Sequence, residues 1–270
     1  MAVRGLVSYW VIPVFSSLVW LGMLLGMLLH WIIDTHRRHY PSMNANSDIA
    51  YISNIGAHEL KPLFIAGSVV TTITLDLSFV SERWLRHSGR LVPNASTGEK
   101  VLAILTIVFA IIGTAGLILL SIFDTWRHHN LHDIFLLLFI AGYLLSAIFT
   151  CWEYQRLGIK NREHRILRAS FWIKLTFVLV ELVFAIVFAA TTYTRNRNVA
   201  AVFEWIVAFI FTFYILSFVV DLYPAIRTRE PGHRFEKPRL PGDLAGTTNA
   251  SSGSSLPQRD YPMDRNAVNF

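Results

Sequence analysis

Long apolar segments alternate with short polar connections along most of the chain. A helix needs about 20 residues to cross the ~30 Å hydrocarbon core of a bilayer, and six segments reach about that length. The pattern therefore predicts an all-α membrane protein built as a six-transmembrane helical bundle. The predicted spans are Val7–Ile33, Pro62–Val80, Val101–Phe123, Ile134–Trp152, Ala169–Tyr193 and Val199–Tyr223.

The composition agrees with this class of protein. Hydrophobic residues make up 53% of the 270 residues and charged residues only 16%, against roughly 25% charged in a soluble domain. In a membrane protein the net charge of +6 marks the cytosolic face more often than a nucleic-acid site, so nucleic acid is not an expected partner. The single cysteine, Cys151, excludes an internal disulfide and a multi-cysteine metal site, and no cofactor is expected.

Lysine and arginine are distributed unevenly between the two sides of the predicted spans. Most of them lie in the N-terminal segment, the second and fourth connections and the start of the tail. Cytosolic loops carry such an excess, so we predict that both termini are cytosolic. The chain then divides into a six-span membrane domain (1–224), a basic juxtamembrane segment (225–240) and a polar cytosolic tail (241–270) that we expect to be disordered.

Charged residues inside the spans need partners, because an isolated charge is costly there. Asp76 and Lys174 both lie about five residues, roughly 7–8 Å, inside the cytosolic boundary, which predicts an intramembrane pair between the second and fifth spans. The alternative is that Lys174 extends to the headgroups on its long stem. Glu181 is near mid-membrane; a structural hydrogen bond is favoured over proton transport, which needs a chain of titratable groups. Asp221 and Glu153 are interpreted as markers of span ends.

The first outer connection is too apolar for a solvated loop. Residues 48–64 read DIAYISNIGAHELKPLF, and their apolar side chains need a surface to cover. We predict that this segment folds over the helix ends as a cap, with Gly56 turning the chain. Pro62 is expected at the start of the second span, where its missing N–H does no harm.

Titratable side chains are concentrated in the outer connections, and we call this set the outer polar cluster. Its members are Asp124, His128, His129, His132, Asp133 and Glu204. Such groups could bind zinc or serve as general acid and base in attack on a lipid ester. No H-E-x-x-H or G-x-S-x-G sequence accompanies them, so neither a metal site nor catalytic residues are predicted. The favoured interpretation is a hydrogen-bonded network between loops and span ends, with a lipid-headgroup site as the alternative.

A basic inner rim is predicted at the cytosolic face. Its members are Arg156, Lys160, Arg162, Arg227, Arg229, Arg234, Lys237 and Arg239. Anionic inner-leaflet lipids attract such residues by about 1 kcal/mol each near the surface. These lipids are therefore expected partners, although ordinary positive-inside bias accounts for part of the excess.

Several short motifs together resemble a known family. They are YISNIGA and P-x-F in the first outer connection, F-D-x-x-x-x-H-N-x-H-D after the third span, and E-W and S-F-x-x-D-L in the sixth span. Over roughly residues 5–225 the chain resembles the Frag/DRAM/Sfk family, also described as the Cwh-type N-terminal domain, and is most similar to its fungal suppressor-of-four-kinase branch. The positions that carry the resemblance are Tyr51, Ile52, Ser53, Gly56, Pro62, Phe64, Asp124, His129, Asn130, His132, Asp133, Glu204, Trp205, Ser217, Phe218 and Asp221.

The resemblance implies a non-enzymatic protein of the plasma membrane. Members of this branch support phosphatidylinositol 4-kinase signalling and lipid organisation, which implies a peripheral kinase complex as a partner. Other branches imply alternatives: remodelling of GPI-anchor lipids in the Golgi or ER, or autophagy from the lysosome or vacuole, with the outer polar cluster serving as a lipid site. The family often has an acidic residue where this chain has Asn54, which weakens any role that needs that carboxylate.

Overall fold

A computed structural model of the chain describes residues 8–94, 96–229 and 235. These residues form seven α-helices and no strand. A π-helical turn (His30–Asp34) extends the first helix, and a 3-10 turn (Tyr223–Arg229) follows the last. The helices are α1 (Val11–Leu29), α2 (Ile52–Gly56), α3 (Lys61–His87), α4 (Thr97–Ile122), α5 (His129–Lys160), α6 (Arg165–Tyr193) and α7 (Arg197–Leu222).

All of the helices except α2 are long and apolar enough to cross a membrane, which confirms the predicted six-span helical fold. Each long helix packs against its neighbours in sequence, and α7 also packs against α1. The bundle is therefore a closed ring in the order α1, α3, α4, α5, α6, α7. Residues 8–10 and 223–229 lie at one end, which we call the terminal end; the opposite end is the cap end. That the terminal end faces the cytosol stays a prediction.

The tightest contact in the ring joins α4 to α5, where glycines let the two backbones meet. A Cβ atom on Gly142 would lie 2.5 Å from the backbone nitrogen of Gly113, and one on Gly116 would lie 2.5 Å from the backbone nitrogen of Phe139. Lipid is as apolar as a helix surface, so close van der Waals packing replaces hydrophobic burial as the main attraction between spans. Small residues at this contact therefore stabilise the pair directly.

Aromatic side chains meet one another in the middle of the ring. Phe211 of α7 contacts the rings of Trp20, Tyr143 and Phe139 at centroid distances of 5.7, 5.3 and 5.9 Å. All three contacts are edge-on, the arrangement that aromatic quadrupoles favour. One α7 side chain thus ties α1 and α5 together across the bundle.

The segment before α3 covers the cap end, as predicted from its apolar residues. Ala50, Ile52 and Ile55 are buried, and the backbone is attached to α7. The Asn198 side chain accepts hydrogen bonds from the backbone N–H of Asp48 at 2.7 Å and of the next residue at 3.2 Å. These bonds replace the water contacts that a loop normally makes, so the segment can lie flat on the helix ends.

The role predicted for Gly56 is wrong. Gly56 ends α2 in ordinary helical geometry and has no positive φ, so it does not turn the chain in a special conformation. A Cβ atom there would lie 2.6 Å from the ring of Phe64. Glycine is needed because α2 packs directly on the first turn of α3. Pro62 lies in that first turn, as expected for a helix start.

Candidate functional site

The predicted pair between Asp76 and Lys174 does not form. The Lys174 ammonium binds Asp221 of α7, and both side chains are completely buried. Asp76 instead accepts a hydrogen bond from Thr114 of α4 at 2.8 Å, and Thr114 lies 2.7 Å from Tyr143 Oη. The cause is the ring order: α6 packs between α5 and α7, whereas α3 packs between α1 and α4.

Lys174 therefore does not extend to the headgroups. Its ammonium lies over the ring of Phe218 at 4.1 Å and the ring of Tyr154 at 5.2 Å, and Ser170 also bonds to Asp221. Aromatic faces and a carboxylate thus replace the water that the cation loses. Asp221, interpreted from the sequence as a span-end marker, is the main partner of this lysine.

A second buried group of charges adjoins the first at the terminal end. Glu82 accepts from Arg86 at 2.8 Å and from Tyr154 Oη at 2.6 Å. Arg86 also donates to the carbonyl of Val92 at 2.9 Å and lies 4.0 Å from Glu153. Glu153 is therefore an internal partner rather than a marker of the span end. We call the combined set the buried charge network: Glu82, Arg86, Glu153, Tyr154, Lys174 and Asp221.

Sequence reasoning missed Glu82, Arg86 and Tyr154. One signal was available, because Glu82 and Arg86 have the i, i+4 spacing of a helical ion pair. Such a pair is normally assigned to a solvated helix end. Nothing in the sequence indicates that α3 continues as far as His87 with Arg86 only 4% exposed.

The outer polar cluster does not converge on one point. Asp124 binds Lys61 at 2.6 Å and the backbone N–H of Arg127 at 2.8 Å. Burial raises the pKa of Asp124, but the hydrogen bonds from Lys61 and Arg127 outweigh it and hold the pKa below its ordinary value. His132 is buried, with Nδ1 3.0 Å from the carbonyl oxygen of Phe123.

The remaining cluster members have separate partners. Glu204 accepts from the backbone N–H of Ile52 at 2.7 Å and so ties α7 to the cap. His129 and Asp133 form an exposed pair at 3.6 Å, and His128 packs edge-on against the ring of Phe123. Within the described parts of the chain, no three His, Cys, Asp or Glu residues are placed to hold a metal ion.

Half of the predicted inner rim can be located. Lys160 binds the buried carboxylate of Glu99 at 2.5 Å, and Arg156 lies 6.0 Å from the ring centroid of Trp152. Arg162 and Arg227 are exposed at the terminal end. The structure does not describe the rest: the side chain of Arg229, the residues Arg234, Lys237 and Arg239, and the predicted disordered tail.

Lys160, one of the predicted rim residues, contacts a helix start through Glu99. Glu99 also accepts from the backbone N–H of Ser96 at 3.1 Å, as part of the capping box that starts α4. Lys160 therefore joins the end of α5 to the start of α4. Phe235 reaches the same end, where its backbone N–H donates to Gly89 at 2.9 Å and its ring contacts His164.

A cavity of about 110 Å³ lies inside the bundle, lined mainly by α5, α6 and α7 and reached also by side chains of α1, α3 and α4. It extends from the cap residue Ile52 down to Tyr214, and most of its wall is hydrocarbon or aromatic. Glu181 and Glu204 are the charged residues that line it. Glu181 Oε1 is buried without a hydrogen-bond partner in the described structure, so the hydrogen bond expected from the sequence is not formed at that oxygen.

These features define a helical integral membrane protein with six spans and an extramembrane cap. The chain belongs to the Frag1/DRAM/Sfk1/Cwh43P family, whose N-terminal domain it matches over residues 8–225. It is similar to Protein sfk1 of Schizosaccharomyces pombe, with 32% identity over 79% of this chain and 63% of that protein. It is also similar to Protein SFK1 of Saccharomyces cerevisiae, with 24% identity over 82% of this chain and 79% of that protein. No solved structure matches the chain.

Proposed function

We propose that this protein is a non-catalytic membrane protein that supports phosphatidylinositol 4-kinase signalling and lipid organisation at the plasma membrane. The observation that carries the proposal is its membership of the family together with its similarity to two fungal Sfk1 proteins. That branch is the one whose resemblance implies a role in phosphoinositide signalling. The chain spans 63% of the Schizosaccharomyces pombe protein, so the role concerns the membrane domain that the two share.

The terminal end is the surface that would carry this role. The bond from Tyr154 to Glu82, the contact between Lys160 and Glu99 and the pair of Lys174 with Asp221 connect the ends of α3, α4, α5, α6 and α7. Exposed Arg162 and Arg227 are then presented on a rigid base. Anionic inner-leaflet lipids and a peripheral kinase complex are the partners that such a rim would bind.

The residues of the outer polar cluster support a non-catalytic role. Asp124, His132 and Glu204 each hold a neighbouring loop or helix start. Catalysis by general acid and base needs groups that reach one substrate atom together, and these three are engaged at separate places. Their chemistry is therefore assigned to holding the cap.

The proposal is tested by imaging plasma-membrane phosphatidylinositol 4-phosphate in cells that lack the protein. We expect the signal to fall on deletion and to return with the tagged wild-type chain located at the plasma membrane. The double variant Arg162→Glu/Arg227→Glu should restore it poorly. The matched double variant Arg38→Glu/Arg195→Glu, which changes the same charge at the cap end, should restore it fully.

Two outcomes contradict the proposal. An unchanged lipid signal after deletion would exclude support of the kinase. Location of the tagged chain in the lysosome, vacuole, Golgi or ER would favour the autophagy or GPI-remodelling branches of the family.

A further inference from the structure

The inner cavity lies beside the second half of α6, which packs loosely. The buried residues of α6 are Leu167, Ser170, Lys174 and Val178, all in its first half. From Leu179 to Tyr193 the described helix has no buried residue. The ion pair with Asp221 anchors one half of α6, and the other half leaves space beside α5 and α7.

Two polar atoms in the cavity wall lack partners within the described structure. They are Glu181 Oε1 on α6 and Tyr214 Oη on α7. Glu181 is seven residues from Lys174 on α6, and Tyr214 is seven residues from Asp221 on α7. Each separation is about 10 Å along the helix axis. Since α6 and α7 are neighbours and run in opposite directions, the two atoms lie at a similar depth. Unpartnered polar groups in hydrocarbon cost free energy, so both atoms favour an occupant that can bond to them.

We propose that this cavity binds a neutral membrane lipid that carries a free hydroxyl group. Six membrane-crossing helices surround the space, so molecules of the bilayer are what can enter it. No Lys or Arg lines it and two carboxyl groups do, which disfavours an anionic headgroup. The chemistry is shared by sterols and diacylglycerols, and the experiment separates these two sources.

The hydroxyl is favoured over an amine for a physical reason. A hydroxyl donates and accepts hydrogen bonds, so it can serve Glu181 in either protonation state and Tyr214 as well. An ammonium group would bring a second full charge into hydrocarbon, with a large loss of hydration. The size is suitable, because one water needs roughly 10–15 Å³ of such space and the cavity has about 110 Å³. A segment of a lipid therefore fits.

Photoaffinity labelling of the purified full-length protein in nanodiscs tests the proposal. The probes are a diazirine sterol and a diazirine diacylglycerol, each with its hydroxyl free or O-methylated, together with a diazirine long-chain amine. Labelled residues are mapped by mass spectrometry. We expect the free-hydroxyl form of one probe to label the second half of α6 and the facing part of α7. Labelling by its O-methyl form should be about tenfold weaker, the effect of losing one good hydrogen bond.

Variants locate the site within the helix. Ala185 lines the cavity, and Ala185→Phe should fill it and lower labelling about tenfold. Ala189 is exposed on the same helix, so Ala189→Phe is the matched control and should label like the wild type. Glu181→Leu removes one of the two polar partners and leaves Tyr214, so it should reduce the preference for the free hydroxyl. This variant tests the site even if Ala185→Phe folds poorly.

Several outcomes would overturn the proposal. Labelling spread evenly over lipid-facing surfaces, such as that around exposed Leu137, would indicate contact with bulk lipid only. Equal labelling by free and O-methylated probes would exclude the hydroxyl. Stronger labelling by a long-chain amine probe than by either neutral probe would replace the hydroxyl with a cation.

Discussion

Replacing Lys174 with methionine tests the buried ion pair that organises the terminal end. Methionine keeps the unbranched shape and removes the charge, so Asp221 is left buried with Ser170 as its remaining partner. Removing one member of a buried pair costs about 3–5 kcal/mol. The cation also contacts the rings of Phe218 and Tyr154, and loss of those contacts adds about 1 kcal/mol.

A double-mutant cycle shows which carboxylate is the partner. In Lys174→Met/Asp221→Asn both charges are gone and Ser170 keeps its acceptor, so we expect much of the lost stability to return. The coupling free energy should be about 2–3 kcal/mol. Asp76→Asn is the matched control, because Asp76 binds Thr114 on the far side of the ring. Its effect should add to that of Lys174→Met within about 0.5 kcal/mol.

The measurement is the free energy of unfolding of each purified variant, obtained by titrating micelles with SDS. The assignment of Asp221 as the partner of Lys174 would be refuted if the cycle showed coupling between Lys174 and Asp76 and additive stability changes for Lys174 and Asp221. It would place α6 against α3 and contradict the ring order. A single-variant loss below about 1 kcal/mol would show that the network does not stabilise the fold.

Three further predictions concern the helix contact, the outer cluster and the cap. Gly142→Val should separate α4 from α5 and lower the free energy of unfolding by several kcal/mol. Gly22→Val is the control, because a Cβ atom at Gly22 meets nothing within 4 Å. It should lower the free energy of unfolding by less than about 1 kcal/mol in the same assay. The pKa of Asp124 is lowered in the folded protein, so the stability that its carboxylate contributes is present above the ordinary carboxyl pKa and is lost as the pH falls through the folded pKa. Asp124→Asn should therefore flatten the acid limb of a Tm-against-pH curve. An unchanged acid limb would contradict a stabilising role of the Asp124 carboxylate. Asn198→Ala should free the cap, seen as faster proteolysis between residues 35 and 60 with the spans intact, and equal cleavage of both proteins would mean that other contacts hold it.

The spans and the cap could be predicted because their signals are local. The length of an apolar run decides whether it crosses a bilayer, and apolar residues in a connection require a surface. Helix neighbours could not be predicted in this way. Asp76 and Lys174 were paired because they lie at the same depth in the membrane. Every helix of the ring has residues at that depth, so depth alone does not identify the partner. The order of the helices around that ring, which decides the pairing, leaves no mark in a single sequence.

The buried charge network was missed for a related reason. Asp221 and Glu153 lie where an apolar segment ends, and a sequence gives no way to distinguish a solvated end from one covered by neighbouring elements. Here the loop after α3 covers Glu153, with Asn94 donating to it at 2.5 Å, and α6 covers Asp221 through Lys174 and Ser170. The unpaired oxygen of Glu181 was also unforeseen. A carboxyl near the middle of a span suggests a hydrogen-bond partner, and whether one is in reach depends on how closely α6 packs, which the sequence does not show.

The pairing of Lys174 with Asp221 also constrains how the protein is made. Translation delivers α6 before α7, so the lysine reaches the membrane while its carboxylate is still inside the ribosome. A lone lysine costs about 2.5–3.5 kcal/mol during insertion at the centre of a span, and less at the shallower depth of Lys174. The last two helices are thus expected to enter the bilayer as a hairpin, and a chain truncated before Asp221 would present an unmatched charge that membrane quality control can recognise.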